Sequence, residues 1–159
     1  EEKVLRAAGR AGAASGAAIG SHTLSGAVVL RQLEILGEVG FPIQRFIWIH
    51  AQAEVNFDLN LQVARQGAWI EYDSLGWNRE DDAGILQRIQ SLWEAGYGER
   101  ILLSHDMGWY DPAQPAGGNP RPFTYLTQIF IPKMLEAGLN PAQIAQMTRI
   151  NPFNAFARG

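Results

Sequence analysis

The sequence predicts an α/β fold in which four parallel strands alternate with helices. Three observations carry this reading: four short apolar runs, stretches of helical spacing between them, and glycine or proline at the joins. Alternation of this kind gives a parallel sheet covered by helices. All 159 residues are expected to form a single segment.

The first ~15 residues, rich in alanine with interspersed arginine, favour a helix, and Gly16 is placed to stop it. Ala17 to His22 reads as a short buried strand. Ser25 to Glu38 carries Val28, Val29, Leu33 and Leu36 at helical spacing, and Phe41-Pro42 breaks that pattern. Arg45 to His50 is β-branched, aromatic and too short for a helix, so it is the second strand. Asn56 and Asp58 supply cap chemistry for a helix ending near Gln66, with Gly67 as its stop.

Ala68 to Asp73 is the third strand. A helix from about Arg79 to Ala95 follows, its apolar stripe made of Ile85, Ile89, Leu92 and Trp93. Glu99 to His105 is the fourth strand. The loop from Asp106 to Pro122 is rich in proline and glycine, and its length suggests a function. Helices are expected at Phe123–Ala137 and at Pro141–Arg149, with Asn151-Pro152 repeating the start signal of Asn140-Pro141. Four such units make either a small open sheet or half of an eight-stranded barrel, which needs ~250 residues.

Bulk properties narrow the function. Hydrophobic residues make up 47% and charged residues 18%, with a net charge of −3 and a pI near 5.6. Lys3 and Lys133 are the only lysines and no basic cluster occurs, so neither nucleic acid nor an anionic membrane is an expected partner. Without cysteine, any metal must be held by His, Asp or Glu. No apolar run approaches the roughly 20 residues of a membrane span, and the first residues do not read as a signal peptide. The compartment stays open. A start without methionine, inside a predicted helix, points to an incomplete or processed polypeptide.

His22, His50 and His105 each end a predicted strand, and His105 is followed by Asp106. Side chains at the carboxyl ends of successive strands are how α/β proteins build sites. His22 and His50 come from neighbouring strands about 4.8 Å apart, from which two imidazoles can converge on one ion. The competing reading is two core histidines. Ser104 and Asp106 share one strand face, so in a barrel Asp106 enters the site and His105 packs or hydrogen-bonds among the helices. Asp73 can orient a histidine, bind substrate or cap its loop. Glu71 shares its face and needs a partner if buried. Trp77, Trp109 and Tyr110 follow strands and are candidates for an apolar substrate pocket. Phosphate-loop, G-x-S-x-G, His-x-His, H-E-x-x-H and EF-hand patterns are absent.

Read in order, GSHT at 20–23, IHAQAE at 49–54, GAWIEYDSLG at 67–76, ILLSHDMGWY at 101–110, FIPKML at 130–135 and NPFNAFA at 151–157 resemble the phosphotriesterase-like group of the amidohydrolase superfamily. The resemblance implies the C-terminal half, strands five to eight, of a (β/α)8 barrel of the TIM type. It implies two divalent ions, zinc by expectation, with His22 and His50 as imidazole ligands of one. Asp106 would bind the other and take a proton from a metal-activated hydroxide. The implied substrate is a small ester, lactone or phosphotriester.

The pattern also departs from the family. The His-x-His of strand one and the carboxylated lysine of strand four would precede Glu1, and neither Lys3 nor Lys133 can replace that lysine. This half alone is therefore expected to be inactive. The proton relay of phosphotriesterases proper is missing from AQAE and SLG, which makes a lactone or carboxylic ester at least as apt as an organophosphate. The alternative is a non-catalytic half-barrel module that dimerises or packs on a partner through its exposed edges.

Overall fold

The computed structural model describes residues 1–78, 81–118 and 122–158. Strands β1 (Ile19–His22), β2 (Phe46–Ile49), β3 (Trp69–Tyr72) and β4 (Ile101–Leu103) form one parallel sheet in the order β1-β2-β3-β4. Helix α1 (Glu2–Ser15) precedes β1; α2 (Gly26–Glu38), α3 (Phe57–Arg65) and α4 (Asp82–Glu94) connect successive strands; α5 (Ile131–Glu136), α6 (Pro141–Ala145) and α7 (Asn151–Phe156) follow β4. Among the described residues no helix is long and apolar enough to cross a membrane.

Local chemistry explains most boundaries. Gly16 adopts φ 69° and returns its N–H to the Gly12 carbonyl, ending α1 as expected. The Asn56 side chain accepts the Asp58 N–H at 3.1 Å, and Asn140 with Gln143 forms a reciprocal capping box. The strands are shorter than predicted because a 3-10 turn occupies Gly98–Arg100 and only the Ser104 N–H, bonded to the Tyr72 carbonyl at 3.1 Å, extends the pairing beyond Leu103. The predicted start of α4 at Arg79, and residues 119–121 of the long loop, lie outside the described residues.

The last two helices differ from expectation in one physical respect. Leu126–Phe130 and Gln146–Ile150 are π-helical turns that lead directly into α5 and α7, closed by Ile131 N–H to Leu126 O and Asn151 N–H to Gln146 O. Each turn comes just before a proline, Pro132 or Pro152. Proline lacks the N–H that bonds four residues back and its ring crowds that carbonyl; a wider turn relieves both. Asn151 is therefore not a helix cap. It is fully buried, and its amide donates to the carbonyls of Gly98 at 3.0 Å and Ile101 at 2.8 Å, tying α7 to the start of β4.

The two sheet faces are unlike. Phe46, Trp48, Ile70, Tyr72 and Ile101 point outward into a continuous core with Val29, Leu33 and Leu36 of α2, Val63 of α3 and Ile85, Ile89 and Leu92 of α4. Val28, counted in the predicted stripe, is half exposed instead. The other face carries a small apolar floor of Ile47, Trp69 and Leu102, closed from below by Ala155 of α7. Sequential strand order, with the connecting helices packed on one face, is the geometry of a barrel wall; a doubly wound sheet reverses order and covers both faces.

Candidate functional site

The inner face is built in layers across the four strands, as barrel interiors are. Ala18, Ile47, Trp69 and Leu102 form the floor. Gly20, Ile49, Glu71 and Ser104 come two residues later, and a side chain at Gly20 would collide with Ile49 Cδ1. His22 ends β1, His50 and Asp73 directly follow β2 and β3, and Asp106 comes three residues after β4. Alternation alone accounts for His22, which lies two residues beyond Gly20 on the exposed end of the edge strand.

His50 breaks alternation. Ile47 and Ile49 face inward, so an extended residue 50 would point with Trp48 toward the helices. Its φ of 66° reverses the chain and turns the imidazole to meet His22 edge-on, with ring centroids 4.3 Å apart. A non-glycine residue in this region is held by its surroundings. Asp73 is what holds it: one carboxylate oxygen accepts the His50 N–H at 2.8 Å, and the other accepts Nδ1–H at 2.8 Å. Gln52 completes the arrangement, donating to Asp73 at 2.6 Å and accepting the Asp73 N–H at 3.2 Å. Asp73 is only 2% exposed, and its oxygens are committed to His50 and Gln52. Of its three sequence readings, the geometry is that of an orienting group.

Glu71 finds the partner its burial requires in Ser104, whose hydroxyl donates at 3.0 Å. Burial pushes its carboxyl above the usual carboxylate range and the Ser104 bond opposes this; the charges of Asp73 and Asp106 push it further up, while His50 opposes them. Asp106 also takes a positive φ, 44°. His105 points away, as expected: its Nε2 accepts the Leu126 N–H at 2.9 Å, the ring packs edge-on to Phe123, and burial lowers its pKa, in keeping with a neutral acceptor.

Trp77 ties the loop after β3 to the loop after β4, its indole N–H reaching the carbonyls of His105 at 2.7 Å and Asp106 at 3.2 Å. Trp109 stacks edge-on against it at 5.5 Å, and both Trp109 and Tyr110 are largely exposed. The neighbouring cavity of about 310 Å³ is lined by Gly76, Met107, Tyr125 and Ile129, and by none of these three aromatics. Tyr125, which the sequence did not single out, also donates from its hydroxyl to buried Asp82 at 2.7 Å, beside the Lys133–Asp82 pair at 2.6 Å. Lys133 is thus engaged in the helical layer.

The donor set suits a divalent ion in part. A carboxylate on Nδ1 leaves Nε2 of His50 as the ring nitrogen available to a ligand, the usual arrangement of a metal-binding histidine, and His22 lies beside it. Among the described residues no three His, Asp or Glu side chains form a cluster that could hold an ion. Asp106 comes three residues after the end of β4. The structure brings His22, His50 and Asp73 together, and the charge of Asp106, like those of Asp73 and His50, reaches Glu71.

Comparison with known proteins agrees with this fold. The family model described as "Phosphotriesterase family" matches residues 1–156. The phosphotriesterase homology protein of Escherichia coli (strain K12) is 30% identical over 157 residues, covering 98% of this chain and 53% of the relative. The N-acetyltaurine hydrolase of Rattus norvegicus is 27% identical, covering 96% and 47%. The phosphotriesterase structure from Mycobacterium tuberculosis superposes with a TM-score of 0.83 at 25% identity, over 99% of this chain and 51% of that one. The chain spans about half the length of the curated relatives it matches. Its four-stranded sheet is thus half of their barrel.

Proposed function

The chain belongs to the phosphotriesterase family, and from that membership we propose that it supplies the C-terminal half of a metal-dependent hydrolase acting on an ester, lactone or phosphotriester. The complementary half barrel, with the remaining ligands, completes the site. The observation that carries the reading is the inward turn of His50 onto His22, with Asp73 on its Nδ1. Nothing in strand packing requires that turn. It is the arrangement of a histidine prepared for a ligand at Nε2.

In this reading His22 and His50 would hold one divalent ion, zinc by expectation, and Asp106 would bind the other. When bound, such ions polarise the substrate oxygen and lower the pKa of water. Asp73 keeps the His50 ring in one orientation and one tautomer. Asp106 would accept, at a carboxylate oxygen, the proton released when water attacks. Trp77 fixes the backbone of Asp106, and Trp109 and Tyr110 offer apolar surface at the rim to the substrate's non-reacting part. A relative that hydrolyses N-acetyltaurine supports acyl transfer chemistry, and one named a phosphotriesterase supports phosphoryl chemistry.

The full-length protein should bind close to two metal ions per chain and hydrolyse lactones or aryl esters. Activity should fall by at least ~100-fold in His22→Ala, His50→Ala and Asp106→Asn, a loss on the scale of removing a metal ligand or proton acceptor. Full activity in all three variants would overturn the assignment.

A further inference from the structure

The middle layer of the inner face contains one charged side chain among Gly20, Ile49 and Ser104, directly above the apolar floor of Trp69 and Leu102. A carboxylate there carries a cost: it is half-buried, Ser104 supplies one hydroxyl, and Asp73 and Asp106 repel it, while Arg158 lines the same cavity. A charge kept partly desolvated in this way points to a role toward what lies beside it. Glu71 lies two residues before Asp73, and Ser104 two residues before Asp106, so the Glu71–Ser104 bond joins the two strands one layer below the site. Within reach of its charge is His50, whose Nδ1 is bonded to Asp73 and whose ring meets that of His22 edge-on.

We infer that Glu71 is a positioning residue that strengthens cation binding at the layer above it, supplying fixed negative charge beneath the His22–His50 pair. It touches neither substrate nor ion. Its charge favours a divalent cation over an empty site, and a bound cation in turn favours the ionised form of Glu71. Ser104 holds the carboxylate in place and keeps it from turning toward water. The inference rests on the proposed metal-binding role of His22 and His50.

Two effects of opposite sign distinguish this role from a structural one. Glu71→Gln keeps the shape and the acceptor for Ser104 but removes the charge. In the full-length protein stripped of metal, the variant should unfold at the same temperature as wild type or a higher one. Its zinc affinity, measured by competition with a chromophoric chelator, should fall about tenfold, the scale of a group acting on a metal through its ligand. Glu71→Asp, which restores charge on a shorter arm, should recover part of the affinity.

Unchanged zinc affinity in Glu71→Gln, with wild type binding zinc, would overturn this inference and leave the metal site standing. An equal loss of affinity and thermal stability would overturn it too, because the residue would then be structural. Wild type that binds no zinc would instead overturn the proposed function on which the inference rests.

Discussion

The outer and inner faces of one four-stranded sheet are made of the same strands, a residue apart, yet they do different work. Outward, Phe46, Trp48, Ile70, Tyr72 and Ile101 meet three helices in a fully buried apolar core. Inward, four apolar side chains form a floor, and above it come a glutamate, a serine, two histidines and two aspartates. Stability is concentrated on one face and chemistry on the other. Two glutamates show the difference. Glu54, beside the helices, accepts N–H groups from Gly26 at 2.7 Å and Asn56 at 2.9 Å, and these bonds hold it below the usual carboxylate range. Glu71, inside the sheet, has one hydroxyl, and burial holds it above that range.

The division can be broken from either side. The largest effect on stability should come from Trp48→Ala, which empties the centre of the outer core and abandons the indole bond to the Thr23 carbonyl at 2.6 Å. A loss of about 3–5 kcal/mol is expected, read as a shift in urea midpoint. A loss below ~1 kcal/mol would mean that the outer face is not the stabilising one.

Glu54→Gln should have an intermediate effect, and one that depends on pH. Because folding lowers the Glu54 pKa, its contribution is complete above the unfolded value of about 4.3 and disappears as pH falls through the lower folded value. Above pH 5, wild type should exceed the variant by about 1.5–3 kcal/mol, the range for hydrogen bonds to a charged group. The two should converge on acidification below pH 4. A constant gap across that window would remove the charge from the explanation.

His22→Ala should be the smallest, within ~0.5 kcal/mol of wild type, because the side chain lies on the exposed end of an edge strand. In the full-length protein it should nevertheless abolish zinc binding at the histidine pair. Substantial unfolding in this variant would show that the inner face carries stability after all, and would sharpen where the boundary lies.

Much of this fold is legible locally. The alternation of apolar runs with helical spacing, Gly16 as a stop, Asn56 and Asn140 as caps and the two proline-bearing terminal segments can all be read from neighbours a few residues apart. The π turns are less visible, since proline announces a disturbance without saying whether the helix ends or widens. Asn151 misleads for the same reason: its sequence looks like a cap, and its amide serves Gly98 and Ile101, about fifty residues away.

The site divides along the same line. Local sequence placed His22, Asp73, His105 and Asp106 at or just beyond the ends of their strands, and the pleat separated Asp106 from His105. Two features were beyond it: the reversal at His50 and the bond from Ser104 to Glu71. Each depends on a group from a neighbouring strand. Backbone propensity disfavours a positive φ at histidine, and only the two oxygens of Asp73, brought alongside by sheet pairing, outweigh it. The sequence by itself determined which elements form and in what order, because those choices rest on short-range sterics and hydrogen bonds. The tertiary structure decided which way the functional side chains face, because that depends on partners the chain meets only after the strands have paired.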